Sequence, residues 1–299
     1  MIIANVVGGL GNQLFQYAMA RRLAAHHGAE LLLDSSNYRA VPDQLNVGVG
    51  DRRVLLFNFR LCAREASDSE KSILRDRYVT SKPSHRIVRL ARRYWPEVFW
   101  PRSHIVEKQY RFQPEALSFP DNIYLSGFWQ SEKYFADIVP LIRQEFDLLD
   151  KSITESAKKR VGDLKQQYGI VVSLHVRRGD LAHAYEILKQ KHRVHGPPMA
   201  AEYFERAISE FDPSCCFLIF SDTFRDVEWC RQNIRAKHVE FSDASSELWD
   251  FVAMSSCDHH IISNSTFSWW AAWLDCKATA RNRSSALVGA GIKGRDVYR

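Results

Sequence analysis

Short apolar runs alternate with amphipathic stretches along the C-terminal half of the chain. The runs are too short for helices and are bounded by turn-forming residues, which is typical of buried strands, whereas the stretches between them have helical spacing. Regular alternation of strand and helix predicts a parallel, doubly wound sheet. The predicted strands are 170–176, 216–221, 238–241 and 259–263, and the predicted helices are 200–211, 224–233, 246–256 and 268–274.

The N-terminal half begins with the same alternation. An apolar run over 2–7, a glycine loop, a helix ending near Gly28 and a strand over 30–33 predict a parallel β–α–β unit. The pattern of residues 35–80 is mixed and predicts no particular helix or strand.

A third part of the pattern concerns the middle of the chain. After a strand predicted over 124–130, Ser131 is predicted to cap a helix that ends before Pro140. A charged helical region follows over 141–169, and few residues between Asp150 and Gly162 recur with apolar periodicity, which indicates a domain junction near Lys151. We therefore predict an α/β protein of two domains, 1–150 and 151–299.

Composition narrows the class of protein. Of the 299 residues, 45% are hydrophobic and 25% charged, and the net charge of +6 suits an acidic ligand, a nucleic acid or an anionic membrane surface equally. The six cysteines show no CxxC spacing, and Met1 leads into an apolar run without a basic segment. We therefore expect reduced thiols and no signal peptide. No apolar run reaches the ~20 residues that span a bilayer, so we expect a soluble, cytoplasmic protein.

One basic segment has two interpretations. Residues 86–102 interleave arginines with tyrosine, phenylalanine and tryptophan. Such a mixture can face a membrane surface or a bound acceptor molecule. A solvated helix followed by a packed loop is the commoner explanation. The first interpretation adds peripheral contact with the inner membrane surface to the expected partners.

The strand predicted over 170–176 runs out in charged residues. His175, Arg177, Arg178 and Asp180 lie where its carboxyl end is expected, and open α/β sheets bind ligands at that end. Two adjacent arginines can hardly be buried there without an anion, and a guanidinium fork matches phosphate oxygens. A diphosphate is therefore the expected ligand. Pairing of the arginines with local carboxylates, or their exposure to solvent, is the alternative.

Two other strands also end in polar residues. Ser221 and Asp222 close the next strand, and Asn264, Ser265 and Thr266 precede a helix whose first turn can bind an anion. Three such ends on one sheet edge predict a pocket of the size and sign that a nucleotide diphosphate requires.

A glycine loop near the N-terminus offers a second candidate phosphate site. Gly9, Gly11 and Asn12 lie between the first strand and the first helix, where backbone N–H groups can cradle a phosphate. The spacing is neither GxGxxG nor a P-loop, and a tight turn that needs positive φ is the alternative.

Five motifs occur in order along most of the chain. They are GGLGNQLFQYA over 8–18, GFWQSEKYF over 127–135, HVRRGD over 175–180, FSD over 220–222 and ISNSTFSWW over 262–270. With them, the chain resembles bacterial α-1,2-fucosyltransferases of glycosyltransferase family 11, in the superfamily that also holds α-1,6- and protein O-fucosyltransferases. The resemblance implies a GT-B-like fold, with two Rossmann-like domains facing across a cleft: an acceptor-side N-terminal domain and a GDP-fucose-binding C-terminal domain.

The resemblance also implies an activity. A galactoside 2-α-L-fucosyltransferase moves L-fucose from GDP-fucose to a galactoside hydroxyl of a cell-surface glycan or oligosaccharide precursor. The implied transfer inverts the anomeric centre and needs neither a metal ion nor another cofactor. No paired-carboxylate DxD run lies at a strand end, in agreement with that expectation.

The residues expected to be catalytic are Arg177, Arg178 and Asp180. Arg177, with or without Arg178, supplies positive charge to the departing diphosphate. Asp180 is either a general base or the residue that fixes Arg178. Asp250 lies fifteen residues before Ser265, the spacing at which an acid of the related α-1,6 enzymes holds guanine; an exposed acid on a helix face is the alternative. The implied donor-binding residues are Gly9, Gly11, Asn12, His175, Arg177, Ser221, Asp222, Asp250, Asn264, Ser265 and Thr266, with His175 lining the base pocket.

The chain departs from the family pattern in three places. Leu181 replaces a frequent aromatic, Thr223 replaces a second aspartate, and residues 277–299 lack a closing proline–tryptophan segment. The first two departures can shift substrate contacts. The third affects the expected C-terminal helix, and through it full stability or activity.

Three rival functions remain. Arg178-Gly179-Asp180 is an adhesion tripeptide, but it directly follows a buried strand. Nucleic-acid binding would use the positive charge, yet the basic residues are dispersed. Transfer of another nucleotide-activated sugar is the stronger alternative, because its diphosphate would need the same residues.

Overall fold

The computed structural model describes residues 1–39, 53–75, 103–178, 199–243, 246–275 and 287–288. The described residues form two compact units, one ending at Asp147 and the other beginning at Leu148. Each unit is described by itself below.

The N-terminal unit is built on a parallel sheet with strand order β3-β2-β1-β5-β4 among the described residues. Its elements are β1 Ile2–Asn5, α1 Leu10–His27, β2 Leu31–Asp34, α2 Ser36–Arg39, β3 Arg64–Glu65, α3 Asp68–Leu74, β4 His104–Val106, β5 Ile123–Ser126 and α4 Val139–Glu145. Single 3₁₀ turns lie at Leu56–Asn58, Pro114–Ser118, Glu132–Tyr134 and Ala136–Ile138.

The β1–α1–β2 unit forms as its apolar pattern predicts. β1 lies at the centre of the sheet and pairs in parallel with β2 on one side and β5 on the other. Its first three residues are almost fully buried, because both faces of a parallel sheet are covered. α1 ends at Gly28, whose φ of 61° is the left-handed conformation that glycine adopts without strain.

The predicted helix between Ser131 and Pro140 is wrong. Two 3₁₀ turns occupy that stretch, and Pro140 lies in the first turn of α4 rather than after a helix. The first N–H groups of a helix have no partner within the helix, so proline is tolerated there and begins this helix.

The C-terminal unit contains a second parallel sheet, with order β10-β9-β6-β7-β8 among the described residues. Its elements are α5 Lys151–Tyr168, β6 Val171–Val176, α6 Ala201–Ser209, β7 Cys216–Ser221, α7 Phe224–Asn233, β8 His238–Phe241, α8 Glu247–Ser255, β9 His259–Ile261, α9 Thr266–Leu274 and β10 Leu287–Val288.

The core of this unit follows from its strands. All six residues of β6 are buried, and β6 lies between β7 and β9. Asp150, Thr223 and Ser246 each cap a helix by accepting a backbone N–H in the first turn, so α5, α7 and α8 begin where their capping residues stand.

The predicted α/β class is confirmed for each unit. β7, α7 and β8 have the predicted bounds, whereas β9 ends two residues earlier and α9 begins two residues earlier than predicted. The cleft between the domains stays a prediction. Residues 86–102, Gly179, Asp180 and Leu181 lie outside the described residues, as does all of 277–299 except β10. Within the described part of the chain, no helix is both long and apolar enough to cross a membrane.

Candidate active site

Arg177 follows β6 and lies between the ends of the two neighbouring strands. Its Nη1 donates to Oγ of Ser265, 3.4 Å away, and its Nε lies 3.7 Å from Oδ2 of Asp222. The side chain is 26% exposed. The guanidinium is therefore held in place by two neighbours while one part of it still faces solvent, where an anion could approach.

His175 anchors the same cluster from inside the sheet. The imidazole is 3% exposed, with Nδ1 2.9 Å from Oγ of Ser263 and Nε2 3.7 Å from Oδ1 of Asp222. Desolvation raises the pKa of Asp222, but a hydrogen bond and charge interaction with His175 and the charge of Arg177 outweigh it, so this pKa lies below its ordinary value. Asp222 is therefore ionised at neutral pH and orients both basic side chains.

Asp250 lies in the first turn of α8, and its charge interacts with those of His175 and Asp222. Its Oδ1 accepts a hydrogen bond from the Ser242 hydroxyl, just after β8. Burial raises the pKa of Asp250 to about 6; the Ser242 hydroxyl and His175 lower it, and the charges of Asp222 and Asp243 raise it. Asp250 is thus half-buried and coupled to the cluster, which is unlike a solvated acid on an exposed helix face.

Hydroxyl groups line the rest of this edge. Oγ of Ser221, at the end of β7, is buried and has no hydrogen-bond partner among the described residues. Ser265 caps α9 by accepting the N–H of Phe267 at 3.3 Å, and Thr266 is the first residue of that helix. Asn264 lies in the preceding turn. A helix N-terminus and an unpaired buried hydroxyl both favour a bound group with oxygen acceptors.

Arg178 points to a different part of the unit. Its Nη1 donates to the carbonyl of Met199 at 3.2 Å, and its guanidinium carbon lies 4.1 Å from the ring centre of Trp229. Among the described residues these contacts tie it to α7 rather than to the cluster around Arg177. Its catalytic role stays a prediction, as does that of Asp180.

The predicted glycine loop lies in the other unit. Gly9 precedes α1 and caps it without a side chain, and Oδ1 of Asn12 accepts from Nε2 of Gln130 at 2.8 Å. The residue in the left-handed conformation is Gly8, with φ 85°, where a Cβ would come within 2.6 Å of Asn12. A nucleotide role for Gly9, Gly11 and Asn12 stays a prediction.

Gln13 and Gln16, two buried residues of α1, hydrogen-bond the backbone that leads into this loop, and the sequence interpretation missed them. Gln13 is fully buried; its Nε2 donates to the carbonyls of Gly8 and Arg53, and its Oε1 accepts from Leu55 and Leu56. An amide inside an apolar helix pattern is the signal that could have identified it, because a buried amide must be hydrogen-bonded.

Comparison with known proteins identifies the family. A family model described as "Glycosyl transferase family 11" matches residues 1–282. The chain belongs to glycosyl transferase family 11. This transferase is similar to an alpha-1,2-colitosyltransferase of Escherichia coli, with 29% identity over 297 residues that cover 92% of this chain and 87% of the relative. It is also similar to galactoside alpha-(1,2)-fucosyltransferase 2 of Gorilla gorilla gorilla, with 29% identity over 58% of this chain and 51% of the relative.

The chain is also similar to solved structures. The family 11 chain aligns with NodZ alpha-1,6-fucosyltransferase soaked with GDP-fucose, with 15% identity, coverage of 91% of each chain and a TM-score of 0.47. Among the residues that the structure describes, no group of three or more His, Cys, Asp or Glu side chains could hold a metal ion.

Proposed function

We propose that this glycosyltransferase moves L-fucose from GDP-fucose to a hydroxyl of a galactoside, forming an α-1,2 linkage. The observation that carries the proposal is the partly exposed guanidinium of Arg177, fixed between Asp222 and Ser265 where three parallel strands end. A planar fork held in this way suits the two phosphate oxygens of a nucleoside diphosphate.

Arg177 would act on the leaving group. As the bond between sugar and diphosphate breaks, the diphosphate gains negative charge, and a guanidinium already in position stabilises that charge without reorganising. The first turn of α9 and the hydroxyls of Ser221 and Ser265 would add donors to the same oxygens. Because Arg177 can take the charge-stabilising role of a metal ion, we propose that the transfer needs none. Direct displacement with inversion is what the resemblance to the fucosyltransferases implies, and it is part of the same proposal.

Asp250 and His175 would bind the base. Guanine presents an amino group and a ring N–H, two donors that one carboxylate can accept, and Asp250 is a half-buried carboxylate coupled to His175. The His175 ring lies 5.9 Å from that of Phe267, which adds an aromatic wall. This arrangement favours guanine over bases that lack such a pair of donors.

The remaining assignments follow from family membership. The domain comprising residues 1–150 would bind the galactose-terminated acceptor glycan, and that comprising 151–299 the donor. The acceptor proton would pass either to Asp180 or to the departing diphosphate. A cytoplasmic location and peripheral membrane contact stay predictions, because the segment 86–102 that suggests the contact lies outside the described residues.

One alternative donor has a specific observation in its favour. The relative that aligns over 92% of this chain is named a colitosyltransferase, and fucose and colitose would need the same diphosphate site. Purified protein should be incubated with a galactose-terminated oligosaccharide and either GDP-fucose or colitose activated with the same nucleotide, and the products separated by mass. Faster transfer of fucose supports the proposal; transfer of colitose alone would replace it with the alternative.

A further inference from the structure

The turn after β5 in the N-terminal unit is held in an unusual conformation. Trp129 has φ 52°, in the left-handed region that residues other than glycine rarely adopt, and its side chain is 2% exposed. Its ring packs edge-on against Tyr134 at 5.6 Å and Phe119 at 6.1 Å. Such backbone persists only where the surroundings impose it, and it concentrates at functional sites.

Glu107 is the residue that imposes it. This half-buried carboxylate follows β4 and accepts the backbone N–H of Phe128 at 2.7 Å and that of Trp129 at 3.3 Å. A Cβ on Gly127 would lie 2.5 Å from the Cβ of Glu107, so the close approach requires glycine there. One side chain thus fixes the exit of the neighbouring strand.

The turn is also tied to the glycine loop. Gln130 donates to Asn12 at 2.8 Å, and Nε2 of Gln16 donates to the carbonyl of Gly127 at 3.0 Å. Because β1, β4 and β5 are parallel neighbours, their exits meet at one edge of the sheet. The amides of Asn12 and Gln130 are therefore presented together at that edge.

An aromatic pair includes a residue of the same turn, because Phe128 comes two residues before Gln130. The rings of Tyr110 and Phe128 lie 6.3 Å apart at 35°, and Tyr110 is 53% exposed. Aromatic faces and amide groups both suit a sugar ring, because the ring has a C–H face and a rim of hydroxyls.

We propose that Tyr110, Phe128, Gln130 and Asn12 form the subsite for the terminal sugar of the acceptor glycan, and that Glu107 is the positioning residue that sets it. This inference rests on the proposed function. A neutral pyranoside is the occupant, because the four side chains carry no charge and family 11 membership requires an acceptor for the transferred sugar.

The test separates acceptor binding from donor binding. Kinetics of the transfer should be measured for Tyr110→Ala, Phe128→Ala and Glu107→Gln, with the Kd of GDP measured by calorimetry on each protein. We expect the acceptor KM to rise roughly tenfold in each variant while the GDP Kd changes by less than about twofold. Ile73→Ala, at a 67% exposed apolar residue on α3, is the matched control and should change neither constant.

Glu107→Asp distinguishes positioning from mere stability. Aspartate keeps the charge but is one methylene shorter, so it cannot reach both N–H groups. We therefore expect the acceptor KM of Glu107→Asp to rise as in Glu107→Gln, although the melting temperatures of the two variants differ. Unchanged acceptor KM in Tyr110→Ala and Phe128→Ala, with a wild-type protein that transfers fucose, would overturn this inference and leave the proposed function intact. A wild-type protein that does not bind GDP would instead overturn the proposed function.

Discussion

The carboxyl-end edges of the two sheets differ in how their polar groups are satisfied. At the edge of the N-terminal unit, backbone groups of the glycine loop are hydrogen-bonded by side chains of the same unit. Gln13 and Gln16 are buried and bond the backbone around them. At the edge of the C-terminal unit, Arg177 is partly exposed and Oγ of Ser221 has no partner among the described residues. Both edges carry motifs that sequence alone assigns to the donor.

The difference teaches which motif residues act on a ligand. A buried side chain whose donors and acceptors are all used within the fold supports the loop, and its loss should reduce stability. A side chain that has protein partners for part of its polar group and is exposed to solvent at the rest can bind a ligand without losing its existing partners. The predictions below separate these two behaviours.

The largest effect is expected at Arg177. Replacement by alanine removes the charge that the departing diphosphate needs, and we expect kcat to fall by about 10²–10³-fold, the scale measured when one preorganised donor is removed. Replacement by lysine should be nearly as damaging, because an ammonium cannot present a planar fork. Steady-state transfer assays measure both.

The control for Arg177 is another arginine of the same unit. Arg231 lies over the ring of Phe241 at 4.9 Å on α7, so Arg231→Ala should leave kcat within about twofold of wild type. A fully active Arg177→Lys protein would refute the clamp assigned to Arg177.

The second prediction concerns Gln13. Leucine has a similar size but cannot accept the N–H groups of Leu55 and Leu56, and each unsatisfied buried group costs about 1–3 kcal/mol. We expect Gln13→Leu to lower the free energy of unfolding by about 3 kcal/mol in urea titrations. The exposed Gln232, changed to leucine, should alter it by less than about 0.5 kcal/mol. Normal stability with lost turnover would instead give Gln13 itself a role in ligand binding.

The third prediction uses the raised pKa of Asp250, about 6. Because the pKa of an unfolded aspartate is lower, about 3.9, the folded protein binds the proton more readily, and this group's contribution to stability falls as pH rises from about 4 to above 6. The sign for GDP is opposite: the ionised form accepts the base, so affinity should fall as pH drops below about 6.

Asp250→Asn tests both signs at once. We expect the variant to lose this pH step, to unfold no more easily than wild type at pH 7, and to bind GDP at least about tenfold more weakly. Melting curves and calorimetry between pH 5 and pH 8 provide the readouts. Unchanged GDP affinity would make Asp250 a structural acid.

The smallest effect is expected between Arg178 and Trp229. A guanidinium 4.1 Å from a tryptophan ring contributes about 1 kcal/mol, so a double-mutant cycle with Arg178→Ala and Trp229→Ala should give a coupling energy of that size. A kcat loss in Arg178→Ala as large as in Arg177→Ala would place both arginines on the donor.

The predictability of the fold varies along the chain for physical reasons. The buried strands β6 and β7, the half-buried strand β8 and the capped helix α7 were predictable, because apolar runs and capping residues are local signals. The 3₁₀ turns before α4 and the two-residue strand β3 were not, since tertiary contacts rather than periodicity create them.

The position of the candidate site was predictable from the sequence, but the contacts of individual side chains were not. Charged residues at strand ends indicated which edge binds the ligand, and the structure brings His175, Arg177, Asp222 and Ser265 together there. The partners of Arg178 and the role of Glu107 were hidden, because each depends on a residue more than 20 positions away or on a backbone angle that no pattern encodes.

The central claim, that the strand ends of the C-terminal unit bind a guanine nucleoside diphosphate, is tested most directly by calorimetry in EDTA. GDP, UDP and ADP should each be titrated into the wild-type protein and into Arg177→Ala. We predict that GDP binds the wild type without a divalent metal, that UDP and ADP bind more weakly, and that Arg177→Ala weakens GDP binding. Binding of UDP in preference to GDP, or equal GDP affinity in the two proteins, would contradict the claim.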